Sequence, residues 1–123
     1  MIFHNQMAIY LQIAEHIGEQ VLAQKLAPDD KVPSIRELAV QLEVNPNTVQ
    51  RTYDFLQTQE VIFTKRGLGY FVAPNAQRNY LNWRRAQFMT HELPLFFKQI
   101  SLLELDFDQL KAQYGTFTNP NNA

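Results

Sequence analysis

The sequence of 123 residues contains no cysteine and carries almost no net charge. Without cysteine, a disulfide framework, a thiol nucleophile and a cysteine-ligated zinc or iron–sulfur site are excluded, and the composition fits a reducing compartment. The 11 basic and 12 acidic residues give a formal net charge of -1, which argues against a protein that coats nucleic acid through bulk positive charge. Any nucleic-acid interface must therefore depend on where a few basic residues are placed.

The sequence also has no long apolar segment. No uninterrupted apolar run approaches the roughly 20 residues of a membrane-spanning helix. Residues 1–7 lack the positive and apolar regions of a secretory signal. We therefore expect a cytoplasmic protein with no membrane partner, built as one compact core with an appended segment.

Three helices are predicted in the first half of the chain. Within Met7–Lys25, apolar residues recur at every fourth position, which is typical of an amphipathic helix: Ile9, Ile13, Ile17 and Val21. Ser34–Glu37 has the form of a capping box and predicts the start of a short second helix. At Asn45–Pro46, a capping residue precedes a proline suited to the first helical position, so a third helix is expected from there to about Gln59.

A β-hairpin is expected next, because Val61–Thr64 and Tyr70–Val72 are short β-rich runs whose connection contains two glycines. Two helices joined by a short turn and followed by a hairpin form a winged helix-turn-helix. Residues 1–75 are therefore predicted to be a winged helix-turn-helix domain. The expected fold class is mainly α with a small β-hairpin, followed by a short helical dimerisation arm.

Residues 76–115 are predicted to form this helical arm. Pro94 lacks the amide donor that a helix interior needs, so it is expected to kink or split the arm. Asp106 is suited to cap a last short helix, and Gly115 is expected to end it. Residues 116–123 show no periodicity and are predicted to be disordered.

The third predicted helix has the composition of a recognition helix. Such a helix enters the major groove by its N-terminal end, where short hydrogen-bonding side chains allow a close approach. Basic side chains on the second helix and at the hairpin tip can reach phosphates, and an arginine can also read guanine. The residues predicted to contact DNA are Arg36, Asn47, Thr48, Gln50, Arg51, Lys65, Arg66 and Gly67.

These basic residues also have ordinary alternatives. Arg36 and Arg51 can form surface ion pairs with acidic neighbours on the same helices. Lys65 and Arg66 can be a solvated hairpin tip. The sequence alone leaves both interpretations open.

Three blocks of the sequence together resemble the DNA-binding domain of GntR-family bacterial transcription regulators. The blocks are Val32–Ala39, Val44–Tyr53 and Gly67–Val72, within a match that extends from Ile9 to Val72. The short helical arm is similar to that of the YtrA subfamily. This resemblance implies a homodimeric repressor on a palindromic operator, often of an operon that encodes an ABC transporter.

The resemblance also implies roles for single residues. Arg36 matches a DNA-contacting arginine, Asn47 and Thr48 match polar contacts at the start of the recognition helix, Arg51 matches a basic contact, and Gly67 matches the wing-tip glycine. Three positions depart from the family pattern. Asp29 and Glu60 replace glycines, of which the aspartate tolerates a left-handed conformation, and Pro46 replaces a base-reading side chain found outside the subfamily.

The apolar residues of the arm are predicted to bury themselves in a twofold-symmetric dimer, because a monomer rarely exposes so much apolar surface. The residues assigned to this interface are Leu81, Trp83, Phe88, Phe96, Phe97 and Ile100. An aromatic cage for an effector is the weaker alternative, since the arm offers few walls for an enclosed pocket. The sequence does not identify an effector.

Nothing in the sequence predicts an enzyme, a metal site or a cofactor. The three histidines are scattered, and no nucleophile motif or phosphate-binding glycine loop is present. The function that competes with DNA binding is a winged-helix module that binds another protein. The polar face predicted for the third helix favours DNA, because protein interfaces favour buried aromatic anchors.

Overall fold

The computed structural model describes residues 7–119 and 121, and the chain divides into a first unit ending at Ala86 and a second beginning at Gln87. The first unit confirms the mainly helical fold class with a small two-stranded antiparallel sheet. Its elements are α1 (Ile9–Leu22), α2 (Ile35–Leu42), α3 (Pro46–Thr58), β1 (Ile62–Lys65), β2 (Gly69–Val72) and α4 (Ala76–Gln87).

The predicted helix starts are confirmed by their capping bonds. The Glu37 amide donates to the Ser34 hydroxyl oxygen at 3.1 Å, and the Ser34 amide donates to a Glu37 carboxylate oxygen at 3.2 Å. The Asn47 amide donates to the Asn45 side-chain oxygen at 2.8 Å, and Pro46 lies in the first turn of α3. These bonds satisfy amide groups that have no partner within their own helix.

The core of the first unit lies where α1 and α3 pack together under the hairpin. The periodic residues of α1 other than Ile9 are buried in it, and Ile9 is 49% exposed. Tyr53 is fully buried on α3, and its hydroxyl donates to the carbonyl of Pro33 in the loop before α2. This bond ties the loop between α1 and α2 to α3.

The hairpin has an additional backbone neighbour that the sequence analysis did not predict. The amide of Asp29 donates to the carbonyl of Val72 at 2.8 Å, and the amide of Val72 donates to the carbonyl of Asp30 at 2.9 Å. The amide of Val32 donates to the carbonyl of Tyr70, also at 2.9 Å. The loop before α2 therefore runs along the free edge of β2 and fixes the base of the hairpin.

The first unit extends beyond the predicted boundary at Asn75. Ala76 and Tyr80 of α4 are each only 1% exposed and belong to the core. The Tyr80 ring covers Gly18 of α1, where a Cβ atom would lie 2.0 Å from the ring. Helix α4 therefore completes the winged-helix core, which explains why the domain does not end at the hairpin.

Two of the departures from the family pattern have left-handed backbones. Asp29 has a φ of 71° and Glu60 a φ of 58°. Asp29 thus adopts the conformation expected of it. Glu60 adopts the same conformation just after α3, although a glutamate has neither the freedom of glycine nor a favourable charge for a helix C-terminus.

We expect Glu60→Gly to stabilise the protein by about 1 kcal/mol, because a left-handed residue with a Cβ costs about 1–2 kcal/mol and glycine's extra unfolded-state entropy offsets part of the gain. The midpoint of urea denaturation should rise. Glu19→Gly is the matched control: Glu19 is exposed within α1, so glycine there should lower the midpoint. A lower midpoint for both variants would contradict the prediction.

The second unit contains a π-helical turn at Phe88–Glu92, α5 (Leu93–Leu102) and α6 (Phe107–Thr118). Pro94 lies in the first turn of α5, directly after the π-helical turn, so the α-helical hydrogen-bond pattern changes just before Pro94, at the place where a kink or split was predicted. The Asp108 amide donates to the Asp106 carboxylate at 3.2 Å, which confirms the predicted cap of α6.

The predicted end of the last helix at Gly115 is wrong. Gly115 does not adopt a positive φ, and α6 continues to Thr118. A glycine ends a helix when it takes a left-handed conformation; otherwise it costs only about 1 kcal/mol and is tolerated. The prediction of disorder is therefore also wrong for residues 116–118, and residues 120, 122 and 123 lie outside the described residues.

Candidate nucleic-acid interface

The N-terminal half of α3 presents the polar side chains predicted to read DNA. Asn47, Gln50 and Arg51 are exposed, and Thr48 is half-buried. Asn45 supplies the cap of this helix, so the side chain of Asn47 is not needed for it. The side-chain amide of Asn47 forms no hydrogen bond within residues 7–119 and 121, so it is available to a ligand.

Arg51 is held by a residue that the sequence analysis did not assign to the site. Its guanidinium lies 3.9 Å from the centroid of the Tyr10 ring of α1. The buried hydroxyl of Thr52 donates to the carbonyl of Tyr10 at 2.7 Å, and the Tyr10 ring meets Phe55 edge-on at 6.2 Å. These contacts fix the first turn of α1 against α3, and stacking restricts the guanidinium while leaving its donors free.

The acidic residue of α3 does not neutralise Arg51. Asp54 instead accepts a hydrogen bond from the Gln50 amide nitrogen at 2.9 Å. This i, i+4 bond orients the Gln50 side chain and leaves its carbonyl oxygen free to accept. The ion pair of Arg51 with Asp54, which the sequence left open, is therefore absent from the part of the chain that the structure describes.

Arg36 lies in the first turn of α2 and is exposed. Its neighbour Glu37 bonds to Ser34 instead, and these hydrogen bonds hold the pKa of the Glu37 carboxyl below its ordinary value. The carboxylate is thus ionised and occupied by the capping box at neutral pH. Among the described residues, Arg36 forms no ion pair with Glu37, Glu43 or any other acid.

The two basic residues at the hairpin tip have different surroundings. Arg66 is exposed and has no charged partner among the described residues. Lys65 forms an ion pair with Asp29 at 2.7 Å, and its ammonium lies 4.2 Å from the centroid of the Phe71 ring. Gly67 has a φ of 77° and open space around it, so its backbone can approach a ligand closely.

The residues assigned to dimerisation fall into two groups. Trp83 and Leu81 belong to the first unit, where the Trp83 ring lies 4.9 Å from that of Phe55 and Leu81 lines a groove with Val21. Trp83 therefore packs against its own chain. The remaining residues lie in the second unit, and all but Ile100 are at least 42% exposed: Phe88, Phe96, Phe97 and Ile100.

The described residues contain neither a membrane-spanning helix nor a cluster of metal-binding side chains. No helix in the described ranges is both long and apolar enough to span a bilayer. No group of three or more histidine, aspartate or glutamate side chains within those ranges is placed to hold a metal ion.

The sequence pattern of the gntR family of bacterial regulatory proteins matches residues 9–72. The chain is 37% identical to the HTH-type transcriptional regulator YhcF of Bacillus subtilis over 116 residues, which cover 94% of each chain. It is 42% identical to the HTH-type transcriptional repressor YtrA of Bacillus subtilis over 69 residues, which cover 56% of this chain and 53% of YtrA.

Solved structures show the same relationship. A GntR-family transcriptional regulator from Bacteroides thetaiotaomicron superposes with a TM-score of 0.70 and 39% identity, covering 93% of this chain and 99% of that one. The DNA-binding domain of AraR in complex with operator ORX1 superposes with a TM-score of 0.52 and 28% identity, covering 58% of this chain and 93% of that one. These proteins are transcriptional regulators and not enzymes, and the chain itself belongs to the gntR family of bacterial regulatory proteins as a DNA-binding transcription regulator.

Proposed function

We propose that the protein is a homodimeric repressor that binds a palindromic operator, with α3 in the major groove and the hairpin tip against the adjacent groove or backbone. The observation that carries this proposal is the polar N-terminal half of α3, where Arg51 is stacked on Tyr10 and forms no ion pair with any acid among the described residues. A surface of this kind can follow a phosphate backbone and read base edges without first breaking internal ion pairs.

Each part of the surface has a distinct chemical role in this proposal. Asn47 and the free oxygen of Gln50 are suited to base edges, because amides both donate and accept. Arg36 and Arg51 bind phosphates or the O6 and N7 atoms of guanine. Arg66 and the backbone of Gly67 add a contact from the hairpin tip. The amide groups at the start of α3 also favour a phosphate there.

The second unit supplies the proposed dimer contact. A monomer rarely leaves a contiguous group of large apolar side chains in water, and those exposed in this unit include Phe88, Met89, Leu95, Phe96 and Phe97. A twofold axis would pair this surface with itself. It would also present two recognition helices to half-sites one helical turn, about 34–36 Å, or a multiple of it apart.

Repression, the YtrA subfamily and an ABC-transporter operon are part of the same proposal. The resemblance to the subfamily suggested all three, and the 42% identity to the repressor YtrA over 69 residues supports the subfamily and repression. A dimer bound at a promoter excludes polymerase by occupying the same DNA. Because the ligand is chromosomal DNA, we place the protein in the bacterial cytoplasm.

Footprinting and gel-shift titration of the wild-type protein on DNA upstream of its own gene test the proposal. We expect a footprint with twofold symmetry and an affinity that falls as salt rises, with a log–log slope of about -0.9 per phosphate contacted. A complex that does not distinguish this DNA from a random duplex of equal length would refute the operator. A stoichiometry of one chain per site would refute the dimer.

We expect the double variant Phe96→Glu with Phe97→Glu to sediment as a monomer where the wild type sediments as a dimer, because two buried unpaired carboxylates in each subunit oppose association. The two side chains are 46% and 49% exposed in the chain, so the subunit itself should remain folded. Val40→Glu with Leu68→Glu is the matched control, since it adds the same two charges at side chains that are 73% and 61% exposed in the first unit. A dimer that persists in the double variant would contradict this interface.

A further inference from the structure

The hairpin lysine is held against the face of the hairpin by contacts on both of its sides. The strand register pairs Phe63 with Phe71 and Lys65 with Gly69. The side chains of Phe63, Lys65 and Phe71 therefore lie on the same face of the sheet. Gly69 has no side chain opposite Lys65, which leaves room for the lysine to lean over the Phe71 ring. Its ammonium lies 4.2 Å from the centroid of that ring and 5.8 Å from that of Phe63.

The partner of this lysine comes from outside the hairpin. Asp29 lies beyond the far edge of β2, where its amide donates to the carbonyl of Val72. The left-handed backbone of Asp29, with φ of 71°, places its carboxylate 2.7 Å from the Lys65 ammonium. Lys65 thus crosses β2 and ends on the acid that stands where the resembled family commonly has glycine.

The pairing changes which charge the hairpin can offer to DNA. The side chains of Lys65 and Asp29 are 35% and 69% exposed, so the pair lies at the surface, where ion pairs are weak. A phosphate can therefore compete for the lysine, but only against both the aspartate and the aromatic ring. Arg66, which has no charged partner among the described residues, offers its charge without that competition.

We infer that Asp29 is a specificity-determining residue. By pairing with Lys65 it keeps the lysine charge from sequence-independent binding to phosphates, so Arg66 is the main cation that the hairpin offers to DNA. The inference rests on the proposed contact between the hairpin tip and DNA. Phosphate contacts strengthen binding to all sequences alike, whereas base contacts distinguish them. Withholding one phosphate contact therefore lowers non-specific affinity and leaves base recognition to α3.

The variant Asp29→Asn tests this inference, because asparagine keeps the left-handed conformation and removes only the charge. We expect it to bind a random-sequence duplex about two- to five-fold more tightly than the wild type at low salt, the range that corresponds to a surface ion pair. The log–log salt slope should become more negative by about 0.9, as expected for one further phosphate contact.

Asp30→Asn is the matched control. It changes the net charge equally at the adjacent position, but Asp30 accepts a hydrogen bond from the amide of Ala27 at 2.8 Å and has no contact with Lys65. An equal gain in both aspartate variants would overturn the inference, because the effect would then be one of net charge.

A double-mutant cycle with Lys65→Gln completes the test. Lys65→Gln should abolish the gain of Asp29→Asn, and it should lower the affinity of Asp29→Asn by more than it lowers that of the wild type. An equal loss in both backgrounds would overturn the inference, because Lys65 would then already contact DNA in the wild type. If the wild type shows no salt-sensitive binding at all, the proposed function fails as well. An equal gain in both aspartate variants, or an equal loss on Lys65→Gln in both backgrounds, overturns only the inference about Asp29.

Discussion

Replacing Arg36 and Arg51 together with alanine is expected to weaken operator binding by about 30-fold or more. An arginine that pairs bidentately with guanine contributes about 1–3 kcal/mol, and a phosphate contact contributes less. The two losses should nearly add, since the arginines lie on different helices and share no side-chain partner among the described residues. Fluorescence anisotropy titration on the operator at several salt concentrations measures both the loss and the change in salt slope.

The matched control removes the same two charges elsewhere in the first unit. Arg78 and Arg85 are exposed on α4, and their replacement by alanine lowers the net charge equally. Operator binding by this control should remain within a few-fold of the wild type. If the control loses as much affinity as the Arg36 and Arg51 variant, the arginines act through general charge and the proposed contacts are wrong.

Gly18→Ala is expected to destabilise the first unit by about 3 kcal/mol or more, at the upper end of the range for overpacking a core. The added methyl group would lie 2.0 Å from Cε1 of Tyr80, whose side chain is 1% exposed and has no room to withdraw. Burial also raises the pKa of the Tyr80 phenol, which agrees with a ring enclosed by the core. Urea denaturation followed by tryptophan fluorescence measures the loss, because Trp83 lies 5.9 Å from that ring.

Gly115→Ala provides the contrast for this prediction. Gly115 lies within α6, where a Cβ atom would meet nothing within 4 Å. Alanine there should increase helix content, since glycine within a helix costs about 1 kcal/mol relative to alanine. If Gly18→Ala has the same mild effect as Gly115→Ala, the close packing of α4 on α1 is wrong.

Several features could be predicted from the sequence because their causes are local. The capping box at Ser34, the cap at Asn45 and the splitting of the arm at Pro94 depend on groups within a few residues of each other. The glycines of the hairpin tip likewise follow from local turn geometry. The proposed DNA contacts rest on the same local reasoning, since their positions follow from helix starts and the hairpin tip, and they stay a prediction.

Other features depend on pairs of residues far apart in the chain, and only the tertiary structure decided them. Tyr10 holds Arg51 from another helix, and Asp29 holds Lys65 from across β2. Tyr80 fills the space over Gly18 and brings α4 into a domain that was predicted to end at Asn75. No spacing rule connects such residues, because packing in three dimensions brings them together.

The sequence by itself thus determined where the helices of the first unit begin, which side chains stand at those starts and at the hairpin tip, and the family. The tertiary structure decided how freely each of those side chains can act. A basic residue has the same formal charge wherever it lies, but its value to a phosphate depends on what already holds it. Arg36 and Lys65 are equivalent in a charge count, yet of these two only the lysine is paired with an acid in the part of the chain that the structure describes.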